Sequence, residues 1–464
     1  MLDYFETIKL LPPEYPENLL YKNRKEFLNQ EFTIIVLDDD PTGTQTVFDV
    51  PVLTTWGKSE IHKELQVGER LFFILTNSRS LTPNEAEKLA MKIGRNIKAA
   101  SEISGRKVLV ISRGDSTLRG HYPIEVDALG KGLGIENSPQ ILIPALFQGG
   151  RYTINDIHFV REGDDLIPAA ETPFAKDNTF GYTSSDLKEY IEEKTHGNIK
   201  AKDVVSISLD NLRIGGPVKI NEILDTFKQG QACIVNAVSQ SDLEVFASGF
   251  LKWFKNSKTI LFRTAASVVP SLAGLPVKNP LQKNDLCFEG MGGIIAVGSY
   301  VPKTSLQLDF LKKNYKVEYI EINVANLLNP KGYKLEVSSA TKKIDRNLKA
   351  GQSVVVYTSR KIIKGNSPEE SLRIVNMVSE GMVEVFKNVK TQPRFFISKG
   401  GITSSDILTK SLEVKKAKVL GQIIPGVPIW KLGDESKFPK LLFMAFPGNL
   451  GGEDAVYEVV KKFN

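Results

Sequence analysis

Short runs of β-branched and aromatic residues alternate along the chain with segments whose apolar side chains recur every three or four positions, the pattern of α/β architecture with mainly parallel strands. In the amino-terminal half the runs fall at 32–37, 71–75, 107–111, 140–143, 203–209, 231–235 and 259–262. Between the second and third, Thr82-Pro83-Asn84-Glu85 has the form of a capping box with proline at the first helical position. Ala86, Leu89, Ala90, Ile93, Ile97 and Ala100 then continue one apolar stripe, which predicts a core helix without chemistry. A turn-rich, aperiodic stretch at 271–285 predicts a linker, and a second α/β pattern comes after it with runs at 294–297, 317–322, 353–358, 394–397 and 441–446. The expected organisation is an extension over 1–30, a first domain over 31–271, a linker over 272–290 and a second domain over 291–464. Each domain is expected to be a mainly parallel sheet flanked by helices, with the active site in the cleft between them.

The residues at the carboxyl end of each run are more informative than the run itself. In open parallel sheets ligands bind outside the carboxyl ends of the strands. In the first half those ends read Asp38-Asp-Asp-Pro-Thr-Gly43, Thr76-Asn-Ser-Arg79, Ser112-Arg-Gly-Asp-Ser-Thr-Leu-Arg-Gly120 and Pro144-Ala-Leu-Phe-Gln-Gly-Gly-Arg151. Carboxylates, hydroxyls and guanidinium groups are thus presented to one crevice. Three adjacent carboxylates repel one another, so the Asp38–Asp40 triplet calls for a cation, a phosphate-metal complex or a proton to remove. In the second half three runs enter glycine-bearing loops at 298–304, 398–406 and 447–454. Such loops offer backbone amides to an anion without a Cβ in the way. None fits the P-loop or the dinucleotide fingerprint, so a nucleotide site here is of another type.

Composition narrows the classes. The 464 residues are 41% hydrophobic and 25% charged, with a formal net charge of +6, as in an ordinary globular protein. The lysines are scattered and no basic arm with interleaved aromatics occurs, which argues against nucleic acid. Two cysteines outside any metal-ligand spacing, no apolar leader and no long apolar run predict a cytoplasmic protein with no membrane partner. His62, His121, His158 and His196 lie far apart in sequence and are assigned no catalytic role.

A half that collects carboxylates and cations beside a half that collects phosphate loops suits phosphoryl transfer, which needs a held phosphate donor, a divalent cation and a carboxylate to take the hydroxyl proton. The expected cofactors are ATP and Mg2+, with the metal-holding residues left unassigned. Asp39, Asp40 and Asp115 are the catalytic candidates. Thr42, Arg79, Arg113, Ser116, Arg119 and Arg151 are the candidates for substrate, because guanidinium forks fit carboxylate and phosphoryl groups. Gly298, Ser299, Thr304, Gly400, Gly401, Thr403, Gly448, Asn449, Gly451 and Gly452 are those for ATP. Two alternatives stay open. One is a haloacid-dehalogenase-like phosphatase with Asp38 as nucleophile and Asp40 as acid/base, and the other is a non-catalytic protein that binds an acid sugar or nucleotide.

The ordered set of segments resembles the four-carbon acid sugar kinase family across nearly the whole chain. Its Ala-Asp-Asp-x-Thr-Gly segment falls on Asp38 to Gly43, so its acidic pair falls on Asp39 and Asp40, and its Asp-Ser-Thr-x-Arg-Gly segment stands as Asp115 to Gly120. Gly150-Arg151, Glu171 to Asp177 and Phe262 to Ser267 also match. In the second half the family's Gly-Ser-x-Ser-x-x-Thr, Gly-Gly-Asp-Thr and Gly-Asn-Phe-Gly-Gly segments look like Gly298 to Thr304, Gly400 to Thr403 and Gly448 to Gly452. The resemblance implies an ATP-dependent kinase that phosphorylates a hydroxyl, by expectation terminal, of a small acid sugar, with a substrate domain first and a nucleotide domain second. The protein partners are left open to a homo-oligomer. Val301 and Ile402 replace a Ser and an Asp of the family's nucleotide segments.

Overall fold

The computed structural model describes residues 2–255, 258–298, 301–360, 363, 368–448 and 450–463. The chain forms two compact units: residues 1–47 with 55–277, and residues 48–54 with 278–464.

The first unit is built on a parallel sheet whose strands run in the order Val205–Ile207, Ala232–Val235, Gln140–Ile143, Leu261–Thr264, Lys107–Arg113, Phe32–Asp38 and Leu71–Leu75. Helices cover this sheet, so the Phe32–Asp38 and Leu71–Leu75 strands are buried along their whole length, which is why they read as unbroken apolar runs. From the Asp38 strand the chain goes first to the Leu71 strand on one side and then to the Lys107 strand on the other. The triplet of aspartates therefore stands at a topological switch point, where such sheets open a crevice.

The capping box at Thr82 is formed, with Glu85 at its third helical position, and the Pro83–Ser104 helix buries Ala86, Ala90, Ile93, Ile97 and Ala100. Helix Ile124–Leu133 packs closely on it because glycines meet at the crossing. A Cβ on Gly132 would stand 2.5 Å from the Met91 carbonyl oxygen, and one on Gly94 would stand 2.8 Å from that of Leu129.

Several strands escaped the periodicity. An antiparallel sheet orders Leu2–Asp3, Asp165–Pro168, Ile157–Glu162 and Arg151–Ile154. Its edge hairpin, Arg151–Ile154 with Ile157–Glu162, turns on Asn155 and Asp156, both at positive φ, the geometry of a two-residue hairpin loop. The run at 203–209 shortens to Val205–Ile207 because Ser208 caps the next helix: its Oγ accepts from the Asn211 amide at 3.1 Å while Asn211 accepts from the Ser208 amide at 3.0 Å. The run at 259–262 moves to Leu261–Thr264, in register with Gln140–Ile143, and so draws Arg263 into a buried strand. The stretch at 271–285 begins inside a buried helix, Val268–Ala273, which Gly274 closes at φ +59.

The second unit carries parallel strands in the order Leu442–Phe446, Phe395–Lys399, Gly293–Val297, Val354–Thr358 and Glu318–Ile322. Beside Leu442–Phe446 the sheet continues antiparallel through Val427–Leu432, Lys416–Ile424 and Val50–Leu53, the last supplied by the early segment 48–54. The hairpin Lys416–Ile424/Val427–Leu432 turns on Pro425-Gly426, with Gly426 at φ +83. Its core gathers Val297, Leu308, Phe395, Met444, Phe446 and Val459. Among the described residues no helix is long and apolar enough to cross a membrane.

Because both helix backbones press on the glycine pair, Gly132→Ala should separate them and lower stability by about 1–3 kcal/mol. A chemical-denaturation midpoint unchanged from wild type would show that the crossing yields without cost.

Candidate active site

The three adjacent aspartates, alike in sequence, have three different environments. Asp38 ends its strand with its side chain buried: Arg113 donates Nη1 to its Oδ1 at 3.0 Å, and a Cβ on Gly43 would fall 2.1 Å from either oxygen. Burial pushes the Asp38 carboxyl up to about 7, Arg113 opposing and the neighbouring Asp39 and Asp40 adding. Asp39 is 3% exposed and sits among three guanidinium groups. Arg79 grips it with Nη2–Oδ1 at 2.6 Å and Nε–Oδ2 at 3.2 Å, while Arg113 and Arg263 stand 3.6 and 3.9 Å away. Burial raises this carboxyl, but Arg79, Arg263 and Arg113 together outweigh it and hold it below its ordinary value. Asp40 is partly open. Its Oδ1 accepts from the amide and hydroxyl of Thr42 at 2.8 and 2.5 Å, and its Oδ2 lies 3.8 Å from Arg79.

The loop 114–120 supplies the facing wall. Asp115 accepts from Arg119 Nε at 2.7 Å and from the Thr117 hydroxyl; burial raises its carboxyl, but Arg119 and Arg79 with these bonds hold it well below the usual carboxylate range. The loop is pinned from below. Tyr182 and Tyr190 donate to the Thr117 and Leu118 carbonyls, each at 2.9 Å, and His158 donates Nε2–H to the Ser116 carbonyl at 2.8 Å. Arg119 and Arg151 both lie over the Phe174 ring, at 5.0 and 5.7 Å from its centroid, which brings two guanidinium groups together beside Asp115.

The structure thus gathers Asp39, Asp40, Thr42, Arg79, Asp115, Arg119 and Arg151 at neighbouring strand ends. Arg113 and Ser116 are buried beneath them. Arg113 is a partner of Asp38 and Asp39 in that position, so its place is under the crevice rather than in it. Asp38, equally buried, does not present a nucleophile to a phosphorus atom, which removes the geometric basis of the phosphatase alternative. Among the described residues no three His, Cys, Asp or Glu side chains converge as metal ligands.

In the second unit the three glycine loops leave adjacent strands, Gly293–Val297, Phe395–Lys399 and Leu442–Phe446. Gly298 packs on Thr403, where a Cβ would stand 2.6 Å from its Oγ1. Gly400 takes φ +115 and Gly451 φ +80. Gly400 and Gly401 open the short helix Gly401–Asp406, on which Ile402 is 54% exposed and Thr403 partly buried. Buried Thr304 donates to the Gly448 carbonyl at 3.1 Å. Gly452 is exposed, and Ser299 and Asn449 lie outside the described residues.

A family model described as a sugar-binding N-terminal domain matches residues 34–272, and one described as a nucleotide-binding C-terminal domain matches residues 294–456. The chain belongs to the four-carbon acid sugar kinase family. Its first unit is the family's sugar-binding domain and its second the nucleotide-binding one. No curated protein matches the sequence. Among solved structures, a Haemophilus influenzae protein aligns over 93% of this chain and 100% of its own with 19% identity and a TM-score of 0.62. A Salmonella typhimurium LT2 protein, titled provisionally a tRNA synthase, aligns over 93% and 100% with 17% identity and a TM-score of 0.68. These two likenesses show the fold.

Sequence reasoning left out Arg263, which donates Nη1 to Ser112 at 3.1 Å and lies 3.3 Å from Glu125. Room for its guanidinium is made by Gly114 and Gly120, whose Cβ atoms would meet it at 2.1 and 2.5 Å. The signal lay in the two glycines that bracket the Asp115–Arg119 stretch, which leave space for a large side chain from the neighbouring strand. His158 was also passed over. Burial pushes its imidazole down to about 4, and with Nε2–H donated to Ser116, Nδ1 accepts from Thr153 at 3.1 Å.

A histidine neutral in the fold and protonated near 6.5 when unfolded contributes stability that is lost as pH falls from about 6.5 through about 4. Asp38 acts with opposite sign over much of this window, so the test compares two proteins. His158→Gln should lose less stability than wild type between pH 7 and pH 4.5, the difference being on the order of 3 kcal/mol at most. Parallel loss of urea midpoint in both would contradict the assignment.

Proposed function

We propose that the protein is an ATP-dependent kinase that transfers the γ-phosphoryl group to a hydroxyl, by preference terminal, of a small four-carbon acid sugar. The observation that carries this reading is the unequal treatment of four carboxylates. Asp38, Asp39 and Asp115 each have an arginine nitrogen at 3.0, 2.6 and 2.7 Å, whereas the nearest guanidinium contact of Asp40 is 3.8 Å. Asp40 is therefore the carboxylate left to accept a proton. Thr42 fixes its Oδ1 through an amide and a hydroxyl, which leaves Oδ2 directed to the acceptor hydroxyl. Asp39 and Asp115 act by holding Arg79 and Arg119 in place, so they are positioning groups in this reading.

Arg119 and Arg151, side by side over Phe174, suit the carboxylate of the acid, and Arg79 faces the charge that develops at the transferred group. The glycine loops of the nucleotide-binding domain take the phosphates of ATP through amides, with Thr403 as a hydroxyl donor. Bound with the nucleotide, Mg2+ would supply charge neutralisation at the phosphate oxygens.

Asp40→Asn keeps the Thr42 bonds at Oδ1 but removes the proton acceptor. Turnover should fall roughly a hundred- to ten-thousand-fold, while affinity for Mg·ATP stays within about twofold. Wild-type turnover in this variant would overturn the assignment.

A further inference from the structure

Lys399 ends the Phe395–Lys399 strand with its whole side chain buried, 0% exposed. An ammonium in such a place is costly, and a methionine of similar length would fill the same space without that cost. Its Nζ donates to the Pro447 carbonyl at 2.5 Å and to the Gly448 carbonyl at 3.1 Å, and lies 4.1 Å from the centroid of the Phe446 ring. Two further buried side chains reach the same loop from the Pro302–Asn314 helix. Thr304 donates to the Gly448 carbonyl at 3.1 Å, and Gln307 Nε2 donates to those of Leu450 and Gly452 at 2.9 and 2.8 Å.

Four carbonyl oxygens of one glycine loop are thus drawn inward by three side chains. In a trans peptide the N–H points opposite to the C=O of the preceding residue. Fixing the Pro447, Leu450 and Gly452 oxygens inward therefore turns the Gly448, Gly451 and Glu453 amides outward. Left without these donors, the oxygens would be orphaned inside or would rotate to the outer side, where they would repel an anion.

We propose that Lys399 is a positioning residue of the nucleotide site, holding the loop that begins at Pro447 with its carbonyls inward so that its amides meet the phosphates of ATP. Gln307 does the same work at the far end of the loop. This inference rests on the nucleotide-binding reading above. Burial, with Lys303 adding to it, pushes the Lys399 ammonium down to about 7, consistent with the strain of keeping it there.

The test is calorimetric titration of the full-length protein with the Mg2+ complex of a non-hydrolysable ATP analogue, with melting temperature recorded alongside. Lys399→Met should weaken binding at least tenfold, Lys399→Arg should recover most of the loss because it restores donors to both carbonyls, and Gln307→Leu should weaken binding severalfold. If Lys399→Met does not fold, Gln307→Leu decides the outcome. Wild-type protein that does not bind the analogue overturns the nucleotide reading itself. Wild-type binding with Lys399→Met and Gln307→Leu within twofold of it overturns only the positioning role, as does an Arg variant no better than Met.

Discussion

The pairing of buried carboxylates with buried guanidinium groups at the carboxyl ends of one parallel sheet is the constraint on which the rest of the first domain depends. Asp39 can stay ionised at 3% exposure because arginines from three other strand ends converge on it: Arg79, Arg113 and Arg263. Removing one member of such a set leaves an uncompensated charge in a low-dielectric interior, which typically costs 3–5 kcal/mol, about half the stability of a domain. The glycines at 43, 114 and 120 answer the same demand, since each makes room for a charged group from another segment. The consequence is selective, because arginine nitrogens lie within 3.0 Å of Asp38, Asp39 and Asp115, whereas Asp40 is partly open and 3.8 Å from Arg79.

In the nucleotide-binding domain the loop after Pro447 is held by a different kind of contact. Hydrogen bonds from Lys399, Thr304 and Gln307 to carbonyls, rather than ion pairs, shape its loop. The two departures from the family segments fit this division. Val301 occupies a helix N-cap without a side-chain cap bond, ahead of Pro302, and Ile402 projects from the helix opened by the glycine pair. Both positions carry an apolar side chain where the family's segments have a polar one.

Much of the scaffold was legible in the sequence because buried parallel strands leave unbroken apolar runs and the Thr82 box announces its helix outright. The placement of polar groups at strand ends was legible for the same reason: runs that stop at Leu37 and Ile111 come within two residues of where the strands stop, at Asp38 and Arg113. The antiparallel hairpins were harder, since Asn155-Asp156 and Pro425-Gly426 are strong turn signals set between strands whose apolar positions are short or irregular. The strand Val50–Leu53 was missed because its partners lie more than 350 residues away in sequence, at Lys416 to Val419. The differing roles of Asp38, Asp39 and Asp40 could not be read from three identical letters, because burial and the direction of each side chain decide them. Arg263 and Lys399 were hidden in another way: each lies just past a run read from the sequence, at 259–262 and 394–397, and only the tertiary structure shows that the strand continues through it and what receives its charge.

The most direct measurement is ADP release from Mg·ATP by the purified protein across a panel of short aldonic and oxo-aldonic acids, with phosphate release from their phosphate esters monitored in parallel. An acid sugar kinase produces ADP only when its acid is present, with four-carbon acids the most effective. Phosphate release from the esters without ATP, and no ADP formation with any acid, would contradict it.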